Sequence, residues 1–170
     1  YYDLFCLPLA WQKAPSTWNL LVLGLGAGTA VRVREGVLPE GTTLVWTGVE
    51  LDPSVVRLAQ EHMDLVPSPP HRVLAGWDSR AALNQLPGPF DQIILDSYAN
   101  NMEIPFHLAT LQFFREALEK LSPGGWLSLN AAGFGVEDPL ILSVASTMAA
   151  AAGREALLLE VPFSRNTLVY

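Results

Sequence analysis

The stretch Asn19-Leu20-Leu21-Val22-Leu23-Gly24-Leu25-Gly26-Ala27-Gly28 decides how the rest of the chain is read. Its first half is apolar after Asn19, the pattern of a strand buried on both faces, as in parallel sheets. The glycines that follow at once permit a tight turn and let another group approach the backbone without interference from a Cβ. A helix is expected next, carrying Val31, Val33 and Val37 and ending near Pro39-Glu40-Gly41. The unit is strand, glycine turn, helix.

Outward from this unit the alternation repeats. A second strand is expected over residues 43–50. Asp52-Pro53 then opens a helix, with Asp52 as its N-cap and Pro53 at the first helical position. Val55, Val56, Leu58, Ala59 and Met63 would supply the buried side of that helix. Residues 67–70, rich in proline, lead to a third strand at 72–75. A short helix over 78–86 precedes Pro87-Gly88-Pro89 and a fourth strand at 90–95. A loop from Asp96 to Pro105 leads into a helix over 106–121, whose Phe106, Leu108, Leu111, Phe113, Phe114 and Leu118 read as a buried face. Ser122-Pro123-Gly124-Gly125 stops that helix. A fifth strand at 126–131, a helix capped by Asp138-Pro139, and two strands at 156–161 and 167–170 complete the chain.

Strands alternating with helices predict an α/β fold with a mostly parallel sheet and helices on both faces. Only residues 162–166 separate the last two strands, which suits an antiparallel hairpin and is too short for a parallel crossover. That ending is the arrangement of the Rossmann-like, seven-stranded methyltransferase fold. A dinucleotide-binding half would continue with another crossover helix. The 170 residues are expected to form a single domain.

Composition narrows the classes of ligand. Half the residues are hydrophobic, as in a globular domain, and the apolar runs break well before membrane-spanning length. No stretch reads as a signal peptide. Cys6 is the single cysteine, which argues against a disulfide framework and a cysteine-based zinc site. A reducing, cytoplasmic setting is expected. A net charge of −7 with scattered Lys and Arg argues against a nucleic-acid groove. Expected partners are a small-molecule or cationic acceptor, with neither nucleic acid nor membrane, and with self-association into a homodimer left open.

Candidate site residues fall at strand ends. Gly24, Gly26 and Gly28 form the loop after the first strand, but the dinucleotide pattern G-x-G-x-x-G breaks at Thr29 and no phosphate-binding lysine follows. A nucleoside ligand other than a dinucleotide fits better. Glu50 ends the second strand about twenty residues on, where a carboxylate can accept both ribose hydroxyls. Asp52 reads better as a helix cap. Asp78 could accept from an adenine amino group, with the Ser79 N–H facing the ring, or cap the helix, and the two roles are compatible. Trp77 could flank the adenine or pack in the core. Asp96 ends the fourth strand, followed by Ser97, Tyr98, Asn100 and Asn101. In an open α/β sheet these strand ends converge on one rim, where ligands bind. His62, His71 and His107 lie on different elements without ligand spacing, so no metal is expected. No nucleophile elbow or second cysteine supports a hydrolase or redox centre.

The segments Gly24–Gly28, Val49-Glu50-Leu51-Asp52-Pro53, Asp78-Ser79-Arg80, Phe90-Asp91-Gln92-Ile93-Ile94-Leu95-Asp96-Ser97 and Leu121-Ser122-Pro123-Gly124-Gly125 together resemble the spermidine synthase family and its methyltransferase-like relatives. Their order and intervals match over nearly the whole chain. Tyr1-Tyr2-Asp3-Leu4 resembles the Tyr-x-Glu-Met segment before the family's core, which implies that the small N-terminal β domain of spermidine synthases is absent. The resemblance implies S-adenosylmethionine, or its decarboxylated form, as cofactor. It places ribose at Glu50, adenine at Asp78 and the reacting end of the substrate at Asp96. Two positions depart from it. Ala27 stands where the family has an aspartate for the aminopropyl ammonium, and Ala99 stands where a second aspartate binds the polyamine. Each missing carboxylate forfeits a charge-assisted hydrogen bond of about 1.5–3 kcal/mol.

Methyl transfer from S-adenosylmethionine is therefore the leading expectation. Asp96 would act as base or orienter, and Tyr98 and Asn100 lie nearby. Aminopropyl transfer with substituted amine contacts is the alternative. A non-catalytic domain that keeps the fold for adenosyl binding or interaction is a third.

Overall fold

The computed structural model describes residues 1–99 and 103–170. Asn100 and Asn101, named above, lie outside the described residues. After a 3₁₀ turn at Leu4–Cys6 come α1 (Pro8–Trp11), β1 (Thr17–Leu23), α2 (Thr29–Glu35), β2 (Thr43–Glu50), α3 (Pro53–His62) and β3 (Arg72–Ala75). The chain continues through α4 (Ser79–Gln85), β4 (Phe90–Leu95), a 3₁₀ turn at Phe106–Leu108 and α5 (Leu111–Glu119). It ends with β5 (Leu121–Ala132), α6 (Pro139–Ala152), β6 (Leu158–Glu160) and β7 (Asn166–Val169).

The seven strands form one sheet in the order β3-β2-β1-β4-β5-β7-β6. β3, β2, β1, β4 and β5 run parallel, whereas β7 is antiparallel to both β5 and β6. This is the α/β arrangement expected, with its antiparallel hairpin at the end. Alternation along β1 separates two cores. Leu21 and Leu23 face a cluster with Leu83 of α4, Phe113 and Phe114 of α5, and Ile141 and Met148 of α6. Leu20 and Val22 face Val31 of α2, Ala59 of α3 and Phe5 of the N-terminal segment. A central parallel strand covered on both faces must be apolar at every position, which is why residues 20–23 show no polar break.

Three helices begin as their sequence dictates. Asp52, Asp78 and Asp138 each accept amide hydrogen bonds from the first turn of α3, α4 and α6. This satisfies donors that a helix cannot pair internally.

Several expectations need correction. The helix expected over 106–121 is split. The side chain of Thr110 accepts from the Phe113 amide at 3.1 Å and starts α5 at Leu111, which leaves Phe106 outside, 86% exposed. Leu111 also lies at the surface and not on the buried face. Helix α2 stops at Gly36, so Val37 lies beyond it and is exposed. In α3 the buried residues are Val56 and Ala59, while Leu58 falls on the outer face and Met63, just past the helix end, is exposed. β1 starts two residues earlier than expected, β6 is shorter, and β7 is shifted one residue towards the N-terminus. Strand β5 begins at Leu121. Phe90 pairs with Leu121 and Gln92 with Trp126, so the Ser122–Gly125 turn bulges out of a ladder that has already started. Trp77 is 44% exposed and is no core residue.

The N-terminal segment is tied to the sheet by polar contacts. Arg34 is fully buried, with Nη2 bonded to the carbonyl oxygen of Phe5 and to Oε1 of Gln92, and its guanidinium lies 5.3 Å from the Trp18 ring centre. Gln92 Nε2 donates to the same carbonyl at 2.9 Å and to Ser128 Oγ at 2.7 Å. Burial on this scale depresses the Arg34 pKa, although a guanidinium starts so high that it stays charged. Among the described residues no helix is long and apolar enough to cross a membrane.

Candidate functional site

The sheet reverses its strand order at β1, which lies between β2 and β4, and ligand crevices form at such a point. Backbone hydrogen bonds hold the strand ends in step. Gly24 N and Leu25 N donate to Val49 O at 3.0 and 2.9 Å, Gly76 N to Glu50 O at 2.9 Å, and Asp96 N to Leu23 O at 2.8 Å. Gly24 has a φ of +88°, and a Cβ there would lie 2.4 Å from the carbonyl oxygen of Asp96. No side chain fits between these two loops. Glycine is required at this place by the closeness of β1 and β4.

A cleft of about 380 Å³ opens above these strand ends. Gly24, Gly26, Glu50, Asp78, Ser79, Asp96 and Tyr98 all line it, joined by Tyr1, Tyr2, Val55 and His107. Gly28 does not. It takes the left-handed conformation before α2, and a Cβ there would meet Leu65 at 2.8 Å, so its closest neighbour is packing rather than cleft.

Each carboxylate is held differently. Glu50 Oε2 accepts from Gly26 N at 2.9 Å and Oε1 from Asp52 N at 3.2 Å, which fixes the glycine loop against the end of β2. Asp78 Oδ1 accepts from the amides of Arg80 and Ala81, both at 3.0 Å, while Oδ2 lies 2.9 Å from His107 Nε2. Partial burial pushes the Asp78 carboxyl up. The Ala81 and Arg80 amides and the His107 ring outweigh it, and hold the group below the usual carboxylate range. Asp78 thus caps α4 and also lines the cleft. Ser79 Oγ pairs with Ser97 Oγ at 2.9 Å, linking the third and fourth strand ends.

Asp96 Oδ1 accepts from Asn130 Nδ2 at 2.9 Å and Oδ2 from the Tyr1 hydroxyl at 3.1 Å. Burial raises the pKa of this carboxyl, and the two donors only partly offset that. The Tyr98 hydroxyl donates to the Asn130 carbonyl at 2.7 Å. Burial, with the nearby Asp96 charge, raises the Tyr98 pKa strongly and keeps it a neutral donor. Tyr1 and Tyr2, both lining the cleft, stack with ring centres 4.2 Å apart.

Among the described residues, Tyr1, His107 and Asn130 hold carboxylates of this site and were not legible as strand ends. The resemblance of Tyr1–Leu4 to a family segment was the one signal for Tyr1. Nothing local marks His107, in the 3₁₀ turn before α5, or Asn130, inside a strand.

The comparisons place these features among known proteins. No family model matches the chain. Over 130 residues it is 34% identical to the probable polyamine aminopropyl transferase of Bifidobacterium longum (strain NCC 2705), a match covering 76% of this chain and 27% of that protein. The chain therefore spans about a quarter of the length of this curated relative. Among solved structures, it superposes on human methyltransferase-like protein 13 in complex with SAH with a TM-score of 0.77 and 22% identity, covering 99% of this chain and 77% of that one. A probable spermidine synthase from Corynebacterium glutamicum ATCC 13032 gives 0.74 and 26%, over 99% and 60% of the two chains. A spermidine synthase in complex with the transition state analogue AdoDATO gives 0.76 and 16%, over 99% and 59%. Sheet order, closing hairpin and these superpositions define the Rossmann-like methyltransferase fold. Within that class the chain is spermidine-synthase-like.

Proposed function

We propose that this chain is an S-adenosylmethionine-dependent transferase that moves a methyl group to a small or cationic acceptor. The observation that carries the proposal is the meeting of Gly24, Gly26, Glu50, Asp78 and Asp96 in one cleft at the switch point. The residues suit an adenosyl sulfonium. A Cβ built on Gly26 meets nothing within 4 Å among the described residues, so a ligand has open space beside that loop. Glu50 would accept from ribose hydroxyls and Asp78 from the adenine amino group. Three carboxylates line the cleft, and among the described residues no Lys or Arg does, which favours a cationic ligand and disfavours a pyrophosphate.

Bound there, S-adenosylmethionine supplies an electrophilic carbon attached to a positively charged sulfur. The protein's part is alignment of the acceptor, plus removal of its proton where it carries one. Asp96 is the group for that proton. Its raised pKa makes it a better base than a solvated carboxylate, and Tyr1 and Asn130 restrict its rotation.

A second reading, aminopropyl transfer from decarboxylated S-adenosylmethionine, has two supports. The printed name of the Bifidobacterium relative is one. The other is that among the described residues no Lys or Arg lines the cleft to meet the carboxylate of intact S-adenosylmethionine. Against it stand Ala27 and Ala99, which leave both ammonium groups without their expected partners.

Calorimetry with S-adenosylmethionine, its decarboxylated form, methylthioadenosine and NAD tests the adenosyl step. Heat with NAD and none with the adenosyl compounds would sink the proposal. Mass spectrometry of putrescine and spermidine incubated with each donor then separates the readings. Little aminopropyl transfer is expected, and robust spermidine formation would replace the first reading by the second. Tight adenosyl binding with no transfer to any acceptor class would leave a binding domain.

A further inference from the structure

Strand β5 carries an anomaly beneath the cleft. Leu127, Leu129 and Ala131 face the core formed with α5 and α6. Between them Ser128 and Asn130 are also buried, at 0% and 2% exposure. Ser128 is accounted for by Gln92. Asn130 is only half accounted for. Its Nδ2 donates to Asp96 Oδ1 at 2.9 Å, but its Oδ1 is buried with no hydrogen-bond partner among the described residues.

A buried amide acceptor left unpaired costs about 1–3 kcal/mol. Strand position 130 pairs in register with Leu168 of β7, where an aliphatic residue on either side would bury without that cost. An amide at this place gains one interaction, its bond to Asp96. The Asn130 backbone takes part as well, since its carbonyl accepts the Tyr98 hydroxyl and holds the loop that carries Asp96.

We propose that Asn130 is a positioning residue for Asp96: its amide donor orients the carboxylate toward the cleft and stabilises its charged form. The kinetic meaning of this rests on the transferase reading above, but the coupling of the two side chains does not. Asp96 sits where burial alone would drive it toward the neutral acid. The titratable groups facing it are the Tyr1 hydroxyl from the N-terminal segment and Tyr98 from its own loop. Tyr1 and Tyr98 stay neutral near pH 7, so neither competes for the proton. A donor to the charged form lowers a carboxyl pKa, and removing that donor raises it. A neutral Asp96 cannot accept a proton, so loss of Asn130 should move the acid limb of transfer to higher pH.

The test is a titration of the Asp96 carboxyl carbon by NMR, assigned by comparison with Asp96→Asn, in the wild-type protein and in Asn130→Leu. Leu keeps the volume and removes the donor. The midpoint is expected to rise by about 1 pH unit, with the acid limb of kcat rising in step and KM for the adenosyl donor little changed. An unchanged midpoint in a folded Asn130→Leu protein overturns the proposal. Should that variant fail to fold, the side-chain amide resonances of Asn130 in the wild-type protein decide the matter. They are expected to follow the Asp96 titration, and a response flat through that midpoint overturns it. Absence of adenosyl binding in calorimetry would defeat the transferase reading, and would leave this titration a valid test of the coupling.

Discussion

His107 Nε2 lies 2.9 Å from Asp78 Oδ2, joining the turn before α5 to the residue that caps α4. The same patch holds a bidentate pair, with Arg80 Nε and Nη2 each 2.8 Å from a Glu116 oxygen, and Arg80 Nη1 reaches the His107 carbonyl at 3.4 Å. Together these contacts tie three elements into a wall at the Asp78 end of the cleft. These contacts fix the position of the end of the cleft proposed for adenine.

Asp78→Ala should cost about 1 kcal/mol at neutral pH, the usual loss for an N-cap. Because the folded carboxyl is held below its unfolded value of about 3.9, its stabilisation is present above that value and lost as pH falls through the folded pKa. Urea melts of wild type and mutant should differ most above about pH 5 and converge in strong acid. A gap independent of pH would mean that the carboxylate charge contributes nothing. The site is partly exposed, so added salt should narrow the charge-dependent part.

Glu50→Ala should weaken adenosyl binding by about 1.5–3 kcal/mol through loss of charge-assisted hydrogen bonds. Part of the loss would come from the glycine loop, since Gly26 N donates to this carboxylate. Glu50→Gln keeps an acceptor for Gly26 and should fall between the two. Equal dissociation constants for all three proteins in calorimetry would remove Glu50 from the ligand site.

Asp96→Asn should keep fold and cofactor affinity while lowering turnover by about 10²-fold or more, the range for a positioned base. The geometry accommodates the amide. Its oxygen can still accept from Asn130 Nδ2, and its nitrogen can face the Tyr1 hydroxyl, which accepts as well as donates. Melting temperature, cofactor affinity and transfer rate should be measured together. A mutant that loses stability as much as activity would make Asp96 a structural residue.

Gly24→Ala should destabilise by about 2–4 kcal/mol, combining overpacking against the Asp96 carbonyl with a left-handed backbone. Gly26→Ala shares the positive φ but meets open space, so about 1 kcal/mol is expected. Denaturant melts of the two proteins check the ranking. Equal losses would mean that conformation, not the approach of β1 to β4, requires glycine at position 24.

Residue order alone determined the sheet and its rim. The apolar run 20–23, the glycines after it and the caps Asp52, Asp78 and Asp138 act within one element or across a single turn. Periodicity and spacing record such interactions directly. Bounds slipped where two local signals competed, as at Thr110, whose cap overrode the apolar pattern beginning at Phe106. Only the tertiary structure decided what surrounds the Asp96 carboxylate. Tyr1 is 95 residues from Asp96 and Asn130 is 34 away, and His107 reaches Asp78 across 29. Arg34 is buried against Gln92 and the Phe5 carbonyl in the same way, by contacts between elements distant in the chain. Pairings of this kind leave no period in the sequence, because each depends on which strands become neighbours and on which face a residue emerges. The carboxylates were legible as strand ends, and their charge states and orientations came from the partners that folding brought to them.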